Sequence, residues 1–505
     1  MRAAGHDRHS SRRITAGSWQ DKNLIIWSGK SLRSVIGRAY SARKTDAGAT
    51  MPQGPDIAPG RLTDGELALN FSDAHPPLTH AQAVAEADRC LYCYDAPCIE
   101  ACPTGIDIPR FIRAIATDNM AGSARIILES NILGGSCARV CPTEILCERA
   151  CVHNTHGEGQ PIRIGMLQRH ATDWQMGHGG QPFTRAAATG RRIAIVGAGP
   201  AGLACAHRLA MHGHDVVIHD RHARAGGLNE YGVAAYKLAD DFARREVDFL
   251  LSIGGIRFEG GRVLGRDMTV ASLRRDHDAV FLAIGLAGVR SLAIEGEDLD
   301  GVMNAVDFIA GLRSADRQAV PVGRRVVVIG GGNTAVDAAV QARRLGAEDV
   351  TLAYRRGAEH MSATPVERAW AQANGVTLRL WAAPARLVAR DGVLAGVEFA
   401  RSRIGPDGRP VHDPDDTFVV EADMVLKAVG QTFMPGPLGG DSIAIAAGRI
   451  MVDGTGQTTM PGVYAGGDCT PGADLTVAAV RDGRNAAEAI HAAFMAAGDR
   501  ENGHG

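Results

Sequence analysis

Two stretches of this chain set a run of buried-type apolar residues directly ahead of a glycine-rich turn and a helix-forming segment. No other feature narrows the fold as much. The first is RRIAIVGAGPAGLACAHRL, where Ile193–Val196 lead into Gly197, Gly199 and Gly202. The second, RRVVVIGGGNTAVDAAV from Arg324, has Gly330, Gly332 and Ala335 in the same G-x-G-x-x-G/A frame, with Asn333 after the second glycine. Such glycines let the backbone turn and approach a pyrophosphate, while the helix N-terminus supplies unpaired N–H groups and a positive dipole end. After the first motif a strand, Val216–His219, ends at Asp220, about 20 residues on, where a carboxylate can accept hydrogen bonds from ribose hydroxyls. After the second, the equivalent strand ends in Arg355 and Arg356. Arginines there can neutralise a 2′-phosphate and favour NADP(H), or stand as solvated surface charges.

Between the motifs lies a further strand, Ala279–Gly285, and after the second come MVLKAVGQ (Met424–Gln431) and GVYAGGDCTPGADLTVAAV. In the last of these, Tyr464–Asp468 reads as the closing strand of the first fold, with Gly467 and Asp468 placed for a ribityl hydroxyl. One dinucleotide fold is interrupted by another and then completed. The expected boundaries are 190–305 with 425–495 for the outer fold and 306–424 for the inner one. This order resembles the two-dinucleotide-binding flavoprotein family, which implies FAD in the outer fold, NAD(P)H in the inner, and hydride transfer between them. It also implies FAD contact at Gly226, Gly227 and Leu228, and a place for Lys237 near flavin or nicotinamide. No nucleophilic catalytic set is required, because hydride transfer between stacked rings depends on distance and orientation. His207, His212, His214 and His219 are read as structural or solvated. Disulfide reductases of that superfamily need a CxxC pair beside the flavin, and this region holds only isolated Cys205 and Cys469, both expected to be structural. Reducing equivalents must leave by another route.

Eight of the ten cysteines fall between Cys90 and Cys151. The run Cys90-x2-Cys93-x4-Cys98-x3-Cys102-Pro103 has the form of a ferredoxin sequence, in which the last cysteine before proline serves a different cluster from the first three. A second set is Cys137-x3-Cys141-Pro142-x4-Cys147-x3-Cys151. Zinc sites use two CxxC-type hooks, and only Cys90/Cys93 is one, so zinc ranks behind iron–sulfur. Disulfides rank last, because no secretory signal accompanies the cysteines. A hydride brings two electrons and an iron–sulfur centre carries one, and a flavin can exchange both ways. The combination is an electron converter.

At finer grain, RCLYCYDAPCIEACPTGIDIPRFI, ESNILGGSCARVCPTEILCERACV and PIRIGMLQRHATDW resemble the N-terminal part of dihydropyrimidine dehydrogenase and the flavoprotein subunit of its bacterial form. They resemble the glutamate synthase small subunit less closely. The resemblance implies one [4Fe–4S] cluster on Cys90, Cys93, Cys98 and Cys151, and another on Cys102, Cys141 and Cys147 with Gln168. Counting along the sequence alone favours Cys137 as that fourth ligand. The expected architecture is α/β, with two Rossmann-like domains, one inserted in the other, after a mainly helical iron–sulfur domain at 51–185. The implied activity is that of an NAD(P)H-dependent flavin and iron–sulfur oxidoreductase. It would pass electrons to a separate FMN-containing catalytic subunit that reduces uracil or thymine. The alternative is NADPH input to glutamate synthase, and a third reading is a nucleotide-binding redox protein without turnover.

Composition fits this outline. A 45% hydrophobic, 22% charged chain of 505 residues has the makeup of a multidomain globular protein. Its net charge of -2 gives no reason to expect nucleic acid as a partner, and no run is long and apolar enough to cross a membrane. A cytoplasmic location is expected. Residues 1–50 carry ten Lys/Arg against three Asp/Glu, so the remainder carries -9. That basic head is read as a disordered extension or as sequence upstream of a true start at Met51, with an organelle transit peptide ranked third.

Overall fold

A computed structural model describes residues 56–154, 159–438 and 443–502, the side chains of 498–502 excepted. The expectations for residues 1–50 and for a start at Met51 lie outside the described residues.

The first described part is helical. Helices α1 (Asp64–Asn70) and α2 (His80–Ala87) each open on a capping box, Thr63 with Glu66 and Thr79 with Gln82, which satisfies the free N–H groups of the first turn. Helix α3 (Ile108–Ala116) buries Ile108, Phe111, Ile112 and Ile115, the i, i+4, i+7 stripe of a helix with one face in a core. Helices α4 (Met120–Ser130), α5 (Gly134–Val140) and α6 (Ile164–His178) complete this layer. Helix α1 faces elsewhere: Leu67 and Phe71 pack into the core of the later, inner fold.

The outer fold begins with β1 (Arg192–Val196), α7 (Pro200–Met211), β2 (Asp215–Asp220), α8 (Phe242–Leu251), β3 (Ile256–Gly260) and β4 (Ala279–Leu282). The inner fold follows as β5 (Val302–Asn304), α9 (Ala305–Ser314), β6 (Arg325–Gly330), α10 (Asn333–Arg344), β7 (Asp349–Tyr354), α11 (Pro365–Ala373) and β8 (Thr377–Leu380). A three-stranded antiparallel sheet, β9 (Ala382–Arg390), β10 (Val393–Ile404) and β11 (Pro410–Glu421), is followed by β12 (Met424–Ala428). The chain then returns to the outer fold with β13 (Val463–Ala465) and the long α12 (Thr476–Asn502).

Two parallel five-stranded sheets result, in the orders β13-β4-β1-β2-β3 and β5-β12-β6-β7-β8. Both place the strand ahead of the glycine turn at the centre, where helices cover both faces, so its residues are apolar without alternation. The insertion of one fold in the other is as expected, but the boundaries move. Met424–Ala428 pairs in parallel with Val326–Gly330, and Val302–Asn304 pairs with Val425–Lys427. The inner fold therefore runs from about Val302 to Ala428 rather than over 306–424, because hydrogen-bonded register assigns both flanking strands to its sheet. Among the described residues no helix is long and apolar enough to cross a membrane.

Candidate functional site

The glycine turn of the outer fold is closed by contact. A methyl group on Gly202 would overlap the Gly197 carbonyl oxygen, and one on Gly227, whose φ is +55°, would meet the Cα of Gly199 at 2.6 Å. Only bare backbone allows the Gly197–Gly202 turn and the Gly226–Leu228 segment to lie this close. Asp220 stands at the same place. Its carboxylate accepts the Ala198 N–H at 2.7 Å and the His222 N–H at 2.7 Å, with the His222 ring nitrogen at 3.1 Å. Burial pushes this carboxyl up, but the His222 ring and the two N–H groups outweigh it and hold the group below its ordinary value. Asp220 is therefore an anion at neutral pH, bonded to the glycine turn.

The return segment completes the mouth. The Gly467 N–H donates to Asp482 on α12 at 3.2 Å, and Thr476 donates to Asn229 beside Leu228 at 3.1 Å. Burial and the neighbouring Asp474 push the Asp468 carboxyl up to about 6, with Arg449 opposing. Leu228, next to Gly227, is exposed, which leaves an uncovered apolar side chain beside the turn. A backbone cradle that a methyl would fill, an anionic carboxylate on the turn and an uncovered apolar side chain fit a bound FAD.

In the inner fold, Gly331 packs on the Tyr354 ring and the Ala363 N–H donates to the Gly331 carbonyl. Arg355 and Arg356 therefore leave the sheet beside the glycine turn. Arg355 is exposed; Arg356 is half-buried, with its Nε lacking a partner. The Oδ1 of Asn333, at the first position of α10, is buried and likewise unpartnered. These two orphan groups flank Gly330 and Gly332, where a dinucleotide would satisfy them.

The cysteines form two groups. Cys90, Cys93, Cys98 and Cys151 line one cavity with Ile108 and Ile164. Burial, then the thiols of Cys90 and Cys151, push Cys98 up to about 12. In the second group Cys141 is hydrogen-bonded to Cys137 and faces Cys147 and Cys102. Cys102 has thus left its own run, and Cys147 faces both Cys102 and Cys98, so the groups are neighbours. Crowded, desolvated thiols that raise one another are stable as thiolates only beside a strong positive centre. Among the described residues no group of three or more His, Cys, Asp or Glu side chains is drawn together as a single metal ion requires. Cys90, Cys93, Cys98 and Cys151 around one cavity supply the four thiols that a [4Fe–4S] cluster takes. Gln168 is buried on α6, where its Nε2 donates to the Gly134 carbonyl at 2.7 Å, one turn before Cys137. The structure brings Cys137 against Cys141 and fixes Gln168 beside the same helix.

Other residues take different places. Lys237 is buried in an ion cluster, 2.8 Å from Asp337 and 2.5 Å from Glu367, joining the outer fold's connecting segment to the inner fold. Its ammonium is held by the buried Asp337 and the half-buried Glu367. His207, His214 and His219 are buried, so they are structural rather than solvated. Cys205 and Cys469 are buried in the outer fold, the latter donating to Leu282 and Gly466 carbonyls. Sequence reasoning missed Arg484 and Glu246, which join the cysteine domain to the outer fold. A signal was present at Tyr92, between Cys90 and Cys93, whose φ of +49° is a strained value of the kind found at functional loops, but φ is not legible in sequence.

Comparison with known proteins agrees with this layout. Residues 67–180 match the family model described as dihydropyrimidine dehydrogenase domain II, 4Fe-4S cluster, and residues 191–483 match pyridine nucleotide-disulphide oxidoreductase. The chain is 35% identical over 446 residues to the glutamate synthase [NADPH] small chain of Escherichia coli K12, spanning 84% of this chain and 93% of that one. It is 35% identical over 427 residues to the NADP(+)-dependent formate dehydrogenase subunit beta of Moorella thermoacetica, spanning 78% of this chain and 59% of that one. A solved structure of FprA from Mycobacterium tuberculosis shares the fold at a TM-score of 0.53 and 21% identity, over 62% of this chain and 86% of that one. The chain belongs to the pyridine nucleotide-disulphide oxidoreductase family, as an oxidoreductase with a 4Fe-4S domain ahead of its FAD- and NAD(P)H-binding folds and as a homologue of the glutamate synthase small chain.

Proposed function

We propose that this chain is the NADPH-oxidising, electron-input subunit of a larger complex, in the manner of the glutamate synthase small chain. The observation that carries the reading is the nesting of the cysteine groups. The group containing Cys102 lies against α12 of the outer fold, the other adjoins it through Cys147 and Cys98, and the far loop, with Leu91 and Tyr94, stands exposed. When bound, FAD would accept hydride from NADPH and the clusters would carry the electrons onward singly. The chain's own residues do the rest. Gly197, Gly199, Gly202 and Gly227 admit the pyrophosphate, Asp220 accepts from the ribose, and Gly467 and Asp468 meet the ribityl chain. Gly330, Gly332 and Asn333 receive the nicotinamide dinucleotide, with Arg355 and Arg356 on its 2′-phosphate. Cys90, Cys93, Cys98 and Cys151 hold one cluster, and Cys102, Cys141, Cys147 and Gln168 the other.

The names of the relatives support NADPH as donor and a separate acceptor subunit. For a glutamate synthase type, that acceptor is a large amidotransferase subunit that forms glutamate from glutamine and 2-oxoglutarate. A second reading has a specific observation behind it: residues 67–180 match the dihydropyrimidine dehydrogenase 4Fe-4S model, and an FMN-containing partner would then reduce uracil or thymine. Anaerobic mixing with NADPH should bleach the flavin; no bleaching with NADPH or NADH would refute electron input. Copurification with the product of the adjacent gene, followed by parallel assays for glutamate formation and uracil reduction, decides between the acceptors. Replacing Arg355 and Arg356 together by alanine should raise KM for NADPH and leave that for NADH unchanged.

A further inference from the structure

Three consecutive residues near the start of α12 touch three different parts of the molecule. Asp482 accepts the N–H of Gly467 in the return segment of the outer fold at 3.2 Å. Gly483 packs so closely on the Ala201 carbonyl, inside the first glycine motif, that a methyl group there would overlap it. Arg484 turns the other way: one guanidinium nitrogen donates to the carbonyl of Thr104 at 2.9 Å and to that of Ser130 at 2.8 Å. Thr104 is buried in the turn that begins at Cys102 and is closed by the Gly105 N–H, and the Cys102 Sγ lies 3.3 Å from the Thr104 hydroxyl. The charge of Arg484 also acts on Cys102. The flavin cradle and the Cys102 turn are thus joined through one turn of helix.

We propose that Arg484 is a positioning residue for electron transfer from the flavin fold to the second cluster, fixing the Cys102–Thr104 turn against α12 and holding a permanent positive charge beside the Cys102 thiolate. The inference rests on the electron-input reading. Each transfer moves one electron from flavin that NADPH has reduced to an oxidised cluster, and no bond of the chain forms or breaks. A reduced cluster carries one more negative charge than an oxidised one, so a fixed cation nearby favours reduction and raises the potential. Two carbonyl acceptors on separate elements, the turn after Cys102 and the end of α4, are more than a surface arginine needs. A guanidinium can serve both, and a lysine ammonium preserves the charge while losing the planar geometry.

The test compares Arg484→Gln and Arg484→Lys with the unaltered protein, each first assayed for FAD and iron. Cluster midpoints come from dithionite titration followed by electron paramagnetic resonance, which does not depend on NADPH. Stopped-flow mixing with NADPH then separates flavin bleaching from later cluster reduction. R484Q is expected to keep its flavin bleaching rate, shift the second cluster to lower potential and slow its reduction roughly tenfold. R484K is expected to restore the potential, with cluster reduction still slower than in the unaltered protein. R484Q with full iron and FAD but unaltered midpoint and reduction rate would overturn the proposal, as would R484K with a midpoint as low as that of R484Q. Failure of NADPH to bleach the flavin in the unaltered protein counts against the electron-input reading, while the midpoints still decide the role of the charge.

Discussion

Glu246 gives the sharpest test of how the cysteine domain is held on the outer fold. It projects from α8 and is fully enclosed, and its Oε1 accepts the N–H groups of Gly135 at 2.8 Å and Ser136 at 3.0 Å, while the Ser136 hydroxyl donates to Oε2. These contacts cap α5, the helix that carries Cys137. Burial drives the carboxyl from an ordinary 4.5 up to about 7, against the Ser136 hydroxyl, the Ser136 N–H, the charge of Arg139 and the Gly135 N–H. Below the ordinary value both folded and unfolded chains hold the proton, and the stabilising contribution is complete. Between the two values only the folded chain holds it, so stability falls as pH rises, and above about 7 the contribution is gone. One pH unit is worth about 1.4 kcal/mol, so ionisation of Glu246 removes about 3 kcal/mol across this window. Glu246→Gln keeps an acceptor oxygen for both N–H groups and cannot ionise. Its stability relative to the unaltered protein should therefore climb from near parity in acid to an advantage of about 3 kcal/mol at about pH 8. Paired urea unfolding across that range measures the difference. A gap that stays constant with pH would refute the reasoning, because it would mean that the carboxyl titrates alike in both states.

Other outcomes follow from the remaining contacts. Asp220→Ala removes an anionic acceptor bonded to the glycine turn and should weaken FAD retention by about ten- to a hundredfold, measured by flavin release on dilution. Because Asp220 titrates below its ordinary value, its contribution is complete above that value and is lost only as pH falls through the lower folded one. Lys237→Met leaves Asp337 and Glu367 facing each other without a cation and should destabilise the inner fold by about 3–5 kcal/mol, read by thermal unfolding. Cys98→Ser should lower iron content while FAD stays bound. Gln168→Ala should lower it and Cys137→Ser should not, and the reverse pattern would transfer the fourth ligand to Cys137.

The features legible in the sequence are those that local chemistry fixes. A glycine is required wherever a methyl would overlap backbone within the same turn, as Gly202 would the Gly197 carbonyl, and so the dinucleotide turns stand out without knowledge of their partners. The separate place of Cys102 was expected from the resemblance of its Cys-Pro run to a ferredoxin sequence, not from local geometry. Features set by distant partners were not legible. Glu246 meets Gly135 across 111 positions and Arg484 meets Thr104 across 380, and neither residue type announces such a bond. The ion pairs of Lys237 were hidden on the same ground: its partners Asp337 and Glu367 lie 100 and 130 residues onward.

The moved domain boundary has a further cause. Val302–Asn304 is three residues long, too short to display any periodicity, and its place is decided by pairing with Val425–Lys427. Pro410–Glu421 contains two prolines and four acidic residues and is mostly exposed, a composition that argues against a strand unless it lies at a sheet edge. It does lie at an edge, bonded on one side only to Val393–Ile404. Edge strands need only one apolar neighbour, and charges along them discourage pairing with another chain. Sequence pattern is therefore strongest at the centres of the two parallel sheets, beside the glycine turns, and weakest at their margins. The glycines of the two dinucleotide turns follow the central strands, which is why they could be named before the margins that enclose them.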